Sequence, residues 1–192
     1  MSSPGNDAAA GEQRRNAALL GAFCLFLSTI EYLIPKPLPF MRLGIANLPI
    51  MLAIDIFPLA TLLLVTAIKI LGQALITGTL FSYVFLFSAA GTLLSALSMF
   101  GLRRFCRGRL GFAGTSVAGA MVSNLSQLAL ARFFVFGRSV RYIAPPLLAM
   151  GLVSGAALGL FCEYFSRRSR WYAEHSLFKG PPGGPSGESR ER

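Results

Sequence analysis

Long apolar runs separated by short polar breaks dominate this chain. Between Ala17 and Phe165 the residues are almost continuously apolar. The runs last about 20 residues, the length of a helix that crosses a membrane, rather than the roughly 10 residues of a barrel strand. The pattern therefore predicts an all-α integral membrane protein with six transmembrane helices.

The predicted spans differ in length and in what interrupts them. The second span is short, contains Pro49 and ends at Pro58, so we expect a tilted or partly re-entrant helix. The sixth span follows a predicted loop, Gly137 to Pro146. The six ranges are 16–34, 43–57, 59–78, 79–102, 115–136 and 147–165.

Polar composition at the two ends sets the predicted domain limits. The C-terminal end is basic and then rich in glycine and proline, which is typical of a disordered tail. The predicted organisation is a disordered N-terminal tail over 1–15, a six-helix transmembrane domain over 16–166 and a disordered tail over 167–192.

A proline-rich segment, residues 35–49, interrupts the apolar pattern after the first span. Three prolines in its first five residues disfavour a helix, and Arg42 and Asn47 follow them. Non-helical backbone beside a bilayer persists only where it is buried in protein or lines a cavity. The segment therefore predicts a lid or the mouth of a binding site. Glu31, just before it, is expected to lie at the interface or to pair with Lys36 or Arg42.

The net charge of the chain is strongly positive, and the positions of its basic residues indicate how it lies in the membrane. Among 192 residues, 54% are hydrophobic and 14% charged, and the net charge is +10. Such a charge can indicate nucleic-acid binding, but here the basic residues flank apolar runs. We therefore predict no nucleic-acid partner and interpret the charges through the excess of Lys and Arg in cytoplasmic loops.

The basic residues divide unequally between the two predicted faces. One face carries Arg14, Arg15, Arg103, Arg104, Arg107, Arg109, Arg167, Arg168 and Arg170, and the other Lys36, Arg42, Arg138 and Arg141. This asymmetry predicts that both termini are cytoplasmic and that the protein lies in the cell membrane as a multi-pass protein. The proline-rich segment then lies on the extracytoplasmic face.

Polar side chains within the apolar runs are the candidate binding residues, because each is costly in a membrane unless it is paired or faces a cavity. Lys69 and Gln73 are four residues apart, and Asn124 and Gln127 three apart, so each pair shares a helix face. The predicted substrate-binding residues are Arg42, Asn47, Lys69, Gln73, Asn124 and Gln127. Two cations with several amides suit a small anionic or strongly polar ligand.

A structural role for the same residues is the alternative. Asn and Gln commonly join membrane helices by hydrogen bonds. Lys69 could instead form a buried ion pair with Asp55.

Small residues on two spans indicate close helix packing. Ala18 and Ala22 share a face of the first span and suit either packing within the chain or the docking of a partner subunit. Gly151, Gly155 and Gly159 recur at four-residue steps and suit contact with another helix.

Motifs for catalysis are missing from the sequence. It has no phosphate-binding GxxxxGK[ST] loop, and its one histidine, His175, lies in the C-terminal tail. Its two aspartates, Asp7 and Asp55, cannot form the aspartate-rich magnesium cluster of a prenyl transferase. Three cysteines without CxxC spacing indicate neither zinc nor a disulfide framework. We predict no catalytic residues, no metal and no cofactor for this polypeptide alone.

Four strings resemble one family of small bacterial membrane proteins, known as heptaprenyl diphosphate synthase component I and also as the Gx transporter family. They cover nearly all of the apolar region and are RLGIANLPIMLAI (residues 42–54), KILGQALITGTLFS (69–82), AAGTLLSALSMF (89–100) and VSNLSQLALA (122–131). The chain departs from the expected family pattern at Ser123, where we expect a histidine, and at Asp55.

The resemblance implies a fold and two alternative functions. The family is similar to the S components of energy-coupling-factor transporters, which have six helices, a loop over an extracytoplasmic pocket and small residues on the first helix for docking. That similarity implies a solute-binding importer subunit that depends on separate ATPase and coupling subunits. The family's other name implies a non-catalytic component of heptaprenyl diphosphate synthase, in isoprenoid and menaquinone side-chain synthesis. A purely structural scaffold is a third class, which the polar residues disfavour.

Overall fold

The computed structural model of the chain describes residues 4–34, 44–106 and 110–169, with side chains from residue 11 onward. Helices make up about 90% of these residues, and no strand occurs among them. The α-helices are α1 (Pro4–Leu33), α2 (Leu48–Ile56), α3 (Leu59–Ile76), α4 (Tyr83–Phe105), α5 (Phe112–Ala131) and α6 (Val140–Arg168). A 3-10 turn (Ile45–Asn47) precedes α2, and a π-helical segment (Arg132–Phe136) and a second 3-10 turn (Gly137–Ser139) join α5 to α6.

Among the described residues, four helical segments are long and apolar enough to cross a membrane. They are Gly11–Leu33, Leu59–Ile76, Tyr83–Phe105 and Phe112–Arg168, and the last of these contains both α5 and α6. Helix α2 has nine residues and therefore a length of about 14 Å, which is less than half the roughly 30 Å hydrocarbon core. The all-helical membrane class is confirmed, while the number of six crossings stays a prediction.

Helix α2 lies at the centre of the bundle. All of its residues from Leu48 to Asp55 are buried, and Phe57 just beyond it is only 1% exposed. A helix that is apolar on every side buries all of its sides. Pro49 lies in its first turn, where the missing N–H would have no helical partner, so this proline starts the helix rather than breaking it.

Glycines of α6 bring it into close contact with α5. A Cβ atom placed on Gly159 would lie 2.5 Å from the Ala113 Cα and 2.9 Å from the Phe112 carbonyl oxygen. Gly155 lies similarly close to Ala120, where a Cβ would be 2.9 Å from the alanine Cβ. The predicted glycine surface is therefore a contact between helices of this chain, as expected of small residues in membrane helices.

Two helix limits differ from those predicted. Helix α1 begins at Pro4, although residues 1–15 were expected to be disordered. Ala8, Ala9 and Ala10 are strong helix formers, and the Gln13 side chain donates a 3.1 Å hydrogen bond to the Thr61 hydroxyl of α3. The predicted C-terminal tail lies outside the described residues from 170 onward.

The predicted loop before the sixth span is also largely helical. Helix α6 begins at Val140 and includes Pro145 and Pro146. These prolines remove the N–H groups that would pair with the carbonyls of Arg141 and Tyr142. Both of those residues are exposed, so their carbonyl groups can be solvated and the helix continues.

An ion pair joins the end of α2 to the end of α4. The Arg103 guanidinium donates through Nε and Nη2 to both oxygens of Asp55, and both side chains are buried. The remaining donor, Nη1, bonds the Leu110 carbonyl at 3.0 Å, and the guanidinium lies 4.1 Å from the centre of the Phe112 ring. The alternative in which Lys69 pairs with Asp55 is therefore wrong. Arg103, one of the basic residues of the predicted cytoplasmic face, is buried in the protein interior.

Substitution of Gly159 tests the helix contact. Gly159→Val should lower the stability by about 1–3 kcal/mol, because the new side chain would collide with the α5 backbone. Gly101→Ala is the control, since a Cβ there would meet no atom within 4 Å. Thermal unfolding in detergent measures both variants, and equal midpoints would contradict the proposed contact.

Removal of the Asp55 charge tests the ion pair. Asp55→Asn should destabilise the protein by about 3 kcal/mol or more, because the Arg103 charge would remain buried without its counter-charge. The double variant Asp55→Leu with Arg103→Leu should recover much of that loss. Denaturant unfolding of the single and double variants gives the comparison, and a harmless Asp55→Asn would argue against the pair.

Candidate functional site

A small polar cavity lies between the helices beside the start of α2. Its volume is about 40 Å³, which is room for about three water molecules. Every α-helix contributes to its wall, α2 through Met51 and the preceding 3-10 turn. Its polar lining consists of Glu31, Asn47, Lys69, Gln73, Thr92, Ser95, Ser116, Ser123, Asn124 and Ser154.

Lys69 and Asn47 both line this cavity, and a short hydrogen bond joins their side chains. The Lys69 ammonium group donates to the Asn47 side-chain oxygen at 2.6 Å, and Lys69 is only 2% exposed. Asn47 ends the 3-10 turn and precedes α2, so the break in the helix presents its side chain to α3. A buried lysine in a membrane protein needs polar partners, and the polar lining of the cavity supplies them.

Glu31 of α1 holds the backbone that leads into α2. Its carboxylate oxygens accept hydrogen bonds from the Gly44 N–H at 3.3 Å and the Ala46 N–H at 3.2 Å. Gly44 has a positive φ of 78°, a conformation that costs glycine little, and its carbonyl accepts the Asn47 N–H at 2.8 Å. Glu31 therefore positions the turn that carries Asn47, and it is buried rather than interfacial. Lys36 and Arg42, its predicted partners, lie outside the described residues, so that pairing stays a prediction.

The opposite wall of the cavity depends on the contact between α5 and α6. The Asn124 side chain donates a 3.0 Å hydrogen bond to the Leu147 carbonyl oxygen. It lies directly over Gly151, where a Cβ atom could not be accommodated. In α6 the Leu147 carbonyl is also the acceptor expected for the Gly151 N–H, four residues later. Asn124 therefore joins α5 to α6 and also faces the cavity.

The predicted binding residues do not all meet at this cavity. Asn47, Lys69, Gln73 and Asn124 line it together. Gln127 is buried one turn away, where its amide nitrogen donates to the Ser123 hydroxyl at 3.2 Å. Its side chain also lies against Gly91 of α4, so Gln127 supports the wall instead of lining it. Arg42, like most of the predicted lid, lies outside the described residues.

The sequence interpretation missed Glu31 and the hydroxyl groups of the cavity as site residues. Serines are common in membrane helices, and no spacing distinguishes the four in the lining from the rest. Glu31 carried a usable signal, because it is an acidic residue within an apolar run beside the proline-rich segment. The cavity thus combines an ammonium group, a carboxylate, amides and hydroxyls, which can hydrogen-bond a small polar molecule that both donates and accepts.

The predicted docking residues face away from this site. Ala18 and Ala22 are both exposed, and they continue toward the exposed Phe26 at the same four-residue step. Neighbouring Gly21 instead faces α3, where a Cβ would lie 3.8 Å from an Ile68 methyl carbon. The alanine face is therefore open on the outside of the bundle.

The fold and the cavity define a helical membrane protein with a buried polar site among its helices. A family model described as "Heptaprenyl diphosphate synthase component I" matches residues 20–165, and the chain belongs to this family. Neither a curated protein nor a solved structure matches the chain.

Loss of the Glu31 carboxylate should loosen the turn before α2. In Glu31→Ala the Gly44 and Ala46 N–H groups lose their acceptor, so their hydrogen exchange should become faster while that of the middle of α3 is unchanged. Mass spectrometry of peptides covering residues 44–47 measures the effect. Tyr32→Ala, at an exposed neighbouring position, should leave exchange there unaltered. Unchanged exchange in Glu31→Ala would contradict the positioning role.

Proposed function

We propose that this chain is the non-catalytic membrane component of a heptaprenyl diphosphate synthase that acts with a separate catalytic subunit. The observation that carries this proposal is the family match over residues 20–165, which spans the described helices from α1 to α6. In this role the chain would hold a reactant or product of isoprenoid synthesis, including the menaquinone side chain, at the membrane.

The aspartates of the chain support a non-catalytic role. Ionisation of a prenyl diphosphate by magnesium needs a cluster of carboxylates to hold the metal. The whole sequence has two aspartates, Asp7 and Asp55, and the Asp55 carboxylate is occupied by Arg103. The chemistry of prenyl transfer would therefore fall to the partner.

In this proposal the polar cavity binds a ligand other than the prenyl chain. Ligand pockets commonly enclose about 300–1,000 Å³, so a cavity of about 40 Å³ cannot hold a heptaprenyl chain. Its ammonium and amide groups suit a small polar or anionic ligand bound by Asn47, Lys69, Gln73 and Asn124. We include Arg42 as a further ligand-binding residue, and Gln127, whose amide donates to Ser123 of the lining, as a support for the cavity wall.

A solute importer subunit is the second candidate function. The specific observation in its favour is a buried lysine that donates to Asn47 at the wall of a polar cavity. In this case the chain would release its solute after docking to a coupling subunit, driven by separate ATPase subunits. The exposed Ala18 and Ala22 are the proposed docking contact.

We propose the same membrane arrangement for both functions. The chain would cross the cytoplasmic membrane six times, with both termini in the cytoplasm. Helix α2 would form only the central part of the second crossing, because it is shorter than the hydrocarbon core. The arginines near the ends of α4 and α6 support this orientation. The polar cavity, which Gly44 and Asn47 line, would then lie toward the extracytoplasmic side.

Native mass spectrometry of the protein purified from its own membranes in mild detergent separates the two functions. A co-purifying soluble prenyl synthase, with a prenyl diphosphate, is the expected result. A co-purifying ATPase and coupling protein, with a polar metabolite, would overturn the synthase proposal in favour of the importer.

The role of Lys69 in ligand binding can be tested in the same preparation. Lys69→Met should reduce the small polar adduct at least tenfold, because a charge-assisted hydrogen bond to the ligand is lost. Ile68→Met introduces the same side chain at the adjacent, 40% exposed position and should bind normally. Equal adduct levels in the two variants would exclude Lys69 as a binding residue.

A further inference from the structure

A second and larger cavity lies at the opposite end of α2 from the polar site. Its volume is about 500 Å³, within the range of pockets that enclose small-molecule ligands. It forms where α2 ends, α3 begins and α4 ends, about 15 Å along α2 from Asn47. Its lining consists of Ile54, Phe57, Pro58, Leu59, Phe100, Arg103 and Arg104.

The lining of this cavity is strongly amphipathic. Five of the residues are apolar, and both polar ones are arginines. Arg103 is neutralised by Asp55 and further held by the Leu110 carbonyl, so its charge is already compensated. Arg104 is exposed, and among the described residues no carboxylate lies within ion-pair distance of it. The cavity therefore presents an apolar surface beside one guanidinium group.

We propose that this cavity binds an amphiphilic anion, whose phosphate or diphosphate head contacts Arg104 and whose apolar tail lies against the accessible surfaces of Pro58, Leu59 and Phe100. A planar guanidinium group with several N–H donors matches the oxygens of such a head. Basic pockets between membrane helices are suited to anionic lipid heads. The site goes beyond the proposed function and holds for either candidate, because it uses none of the residues of the polar cavity.

The same chemistry has two sources, a phospholipid of the membrane and a prenyl diphosphate. Full-length protein in detergent can be titrated separately with phosphatidylglycerol, with farnesyl diphosphate and with zwitterionic phosphatidylcholine. Native mass spectrometry then gives the bound fraction of each. At least one of the two anionic amphiphiles should bind well, and phosphatidylcholine should bind more weakly.

Two variants test the two halves of the cavity. Arg104→Ala should weaken the binding of the anionic amphiphile about fivefold or more, since it removes the cation that faces the head. Arg15→Ala removes an arginine that is also exposed but lies on α1, outside this cavity, and should bind as the unaltered protein does. Arg104 is exposed, so its removal should leave the unfolding midpoint unchanged.

The apolar half is tested by filling the cavity. Leu59→Trp should reduce binding of the same amphiphile because the indole would occupy the space of the tail. Leu64→Trp places the same side chain on the exposed side of α3 and is the matched control.

The outcomes separate the two sources from a failure of the proposal. Binding of phosphatidylglycerol alone, sensitive to both variants, identifies a membrane-lipid site. Binding of farnesyl diphosphate alone, with the same sensitivity, identifies a diphosphate site. Binding of neither amphiphile, or binding that Arg104→Ala and Arg15→Ala reduce equally, would overturn the proposal.

Discussion

A polar group inside a membrane must find its partners within the protein, and this requirement shapes the interior of the bundle. Lys69 donates to Asn47, and Glu31 accepts two backbone N–H groups from the turn before α2. At the other end of α2, Asp55 meets the Arg103 guanidinium. These buried charged groups thus bond to segments far from their own helix. The bonds that lower the cost of burying each charge therefore also fix how α1, α2, α3 and α4 pack.

Helix α2 is where these requirements meet. It is too short to cross a bilayer by itself, and its residues from Leu48 to Asp55 are buried on every side. The polar cavity adjoins its first residues, and the arginine-lined cavity adjoins its last ones. Since the surrounding helices enclose it, α2 separates a small polar compartment from a larger amphipathic one. The two compartments differ in size and chemistry and therefore suit different ligands.

Membership of the component I family and the geometry of the cavities bear on function in different ways. The family description names a component of heptaprenyl diphosphate synthase, whereas the polar cavity is too small for a long prenyl chain. A synthase component would more easily place an isoprenoid against the lipid-facing surface or in the larger cavity. An importer subunit would use the polar cavity directly. Under either proposal the chain would bind and position a molecule while a partner would supply the chemistry or the energy.

The sequence by itself determined the helical membrane class, because the length of an apolar run is a local property, and it identified Asn47, Lys69, Gln73 and Asn124 as interior polar groups. It also indicated the glycine contact of α6, which depends only on a four-residue spacing. Only the tertiary structure decided that Arg103 is buried against Asp55, which lies 48 residues earlier. It likewise decided that Glu31 holds the turn before α2 and that Gln127 lies outside the cavity lining. These interactions depend on distances between residues of separate helices. Local patterns along the chain do not determine such distances.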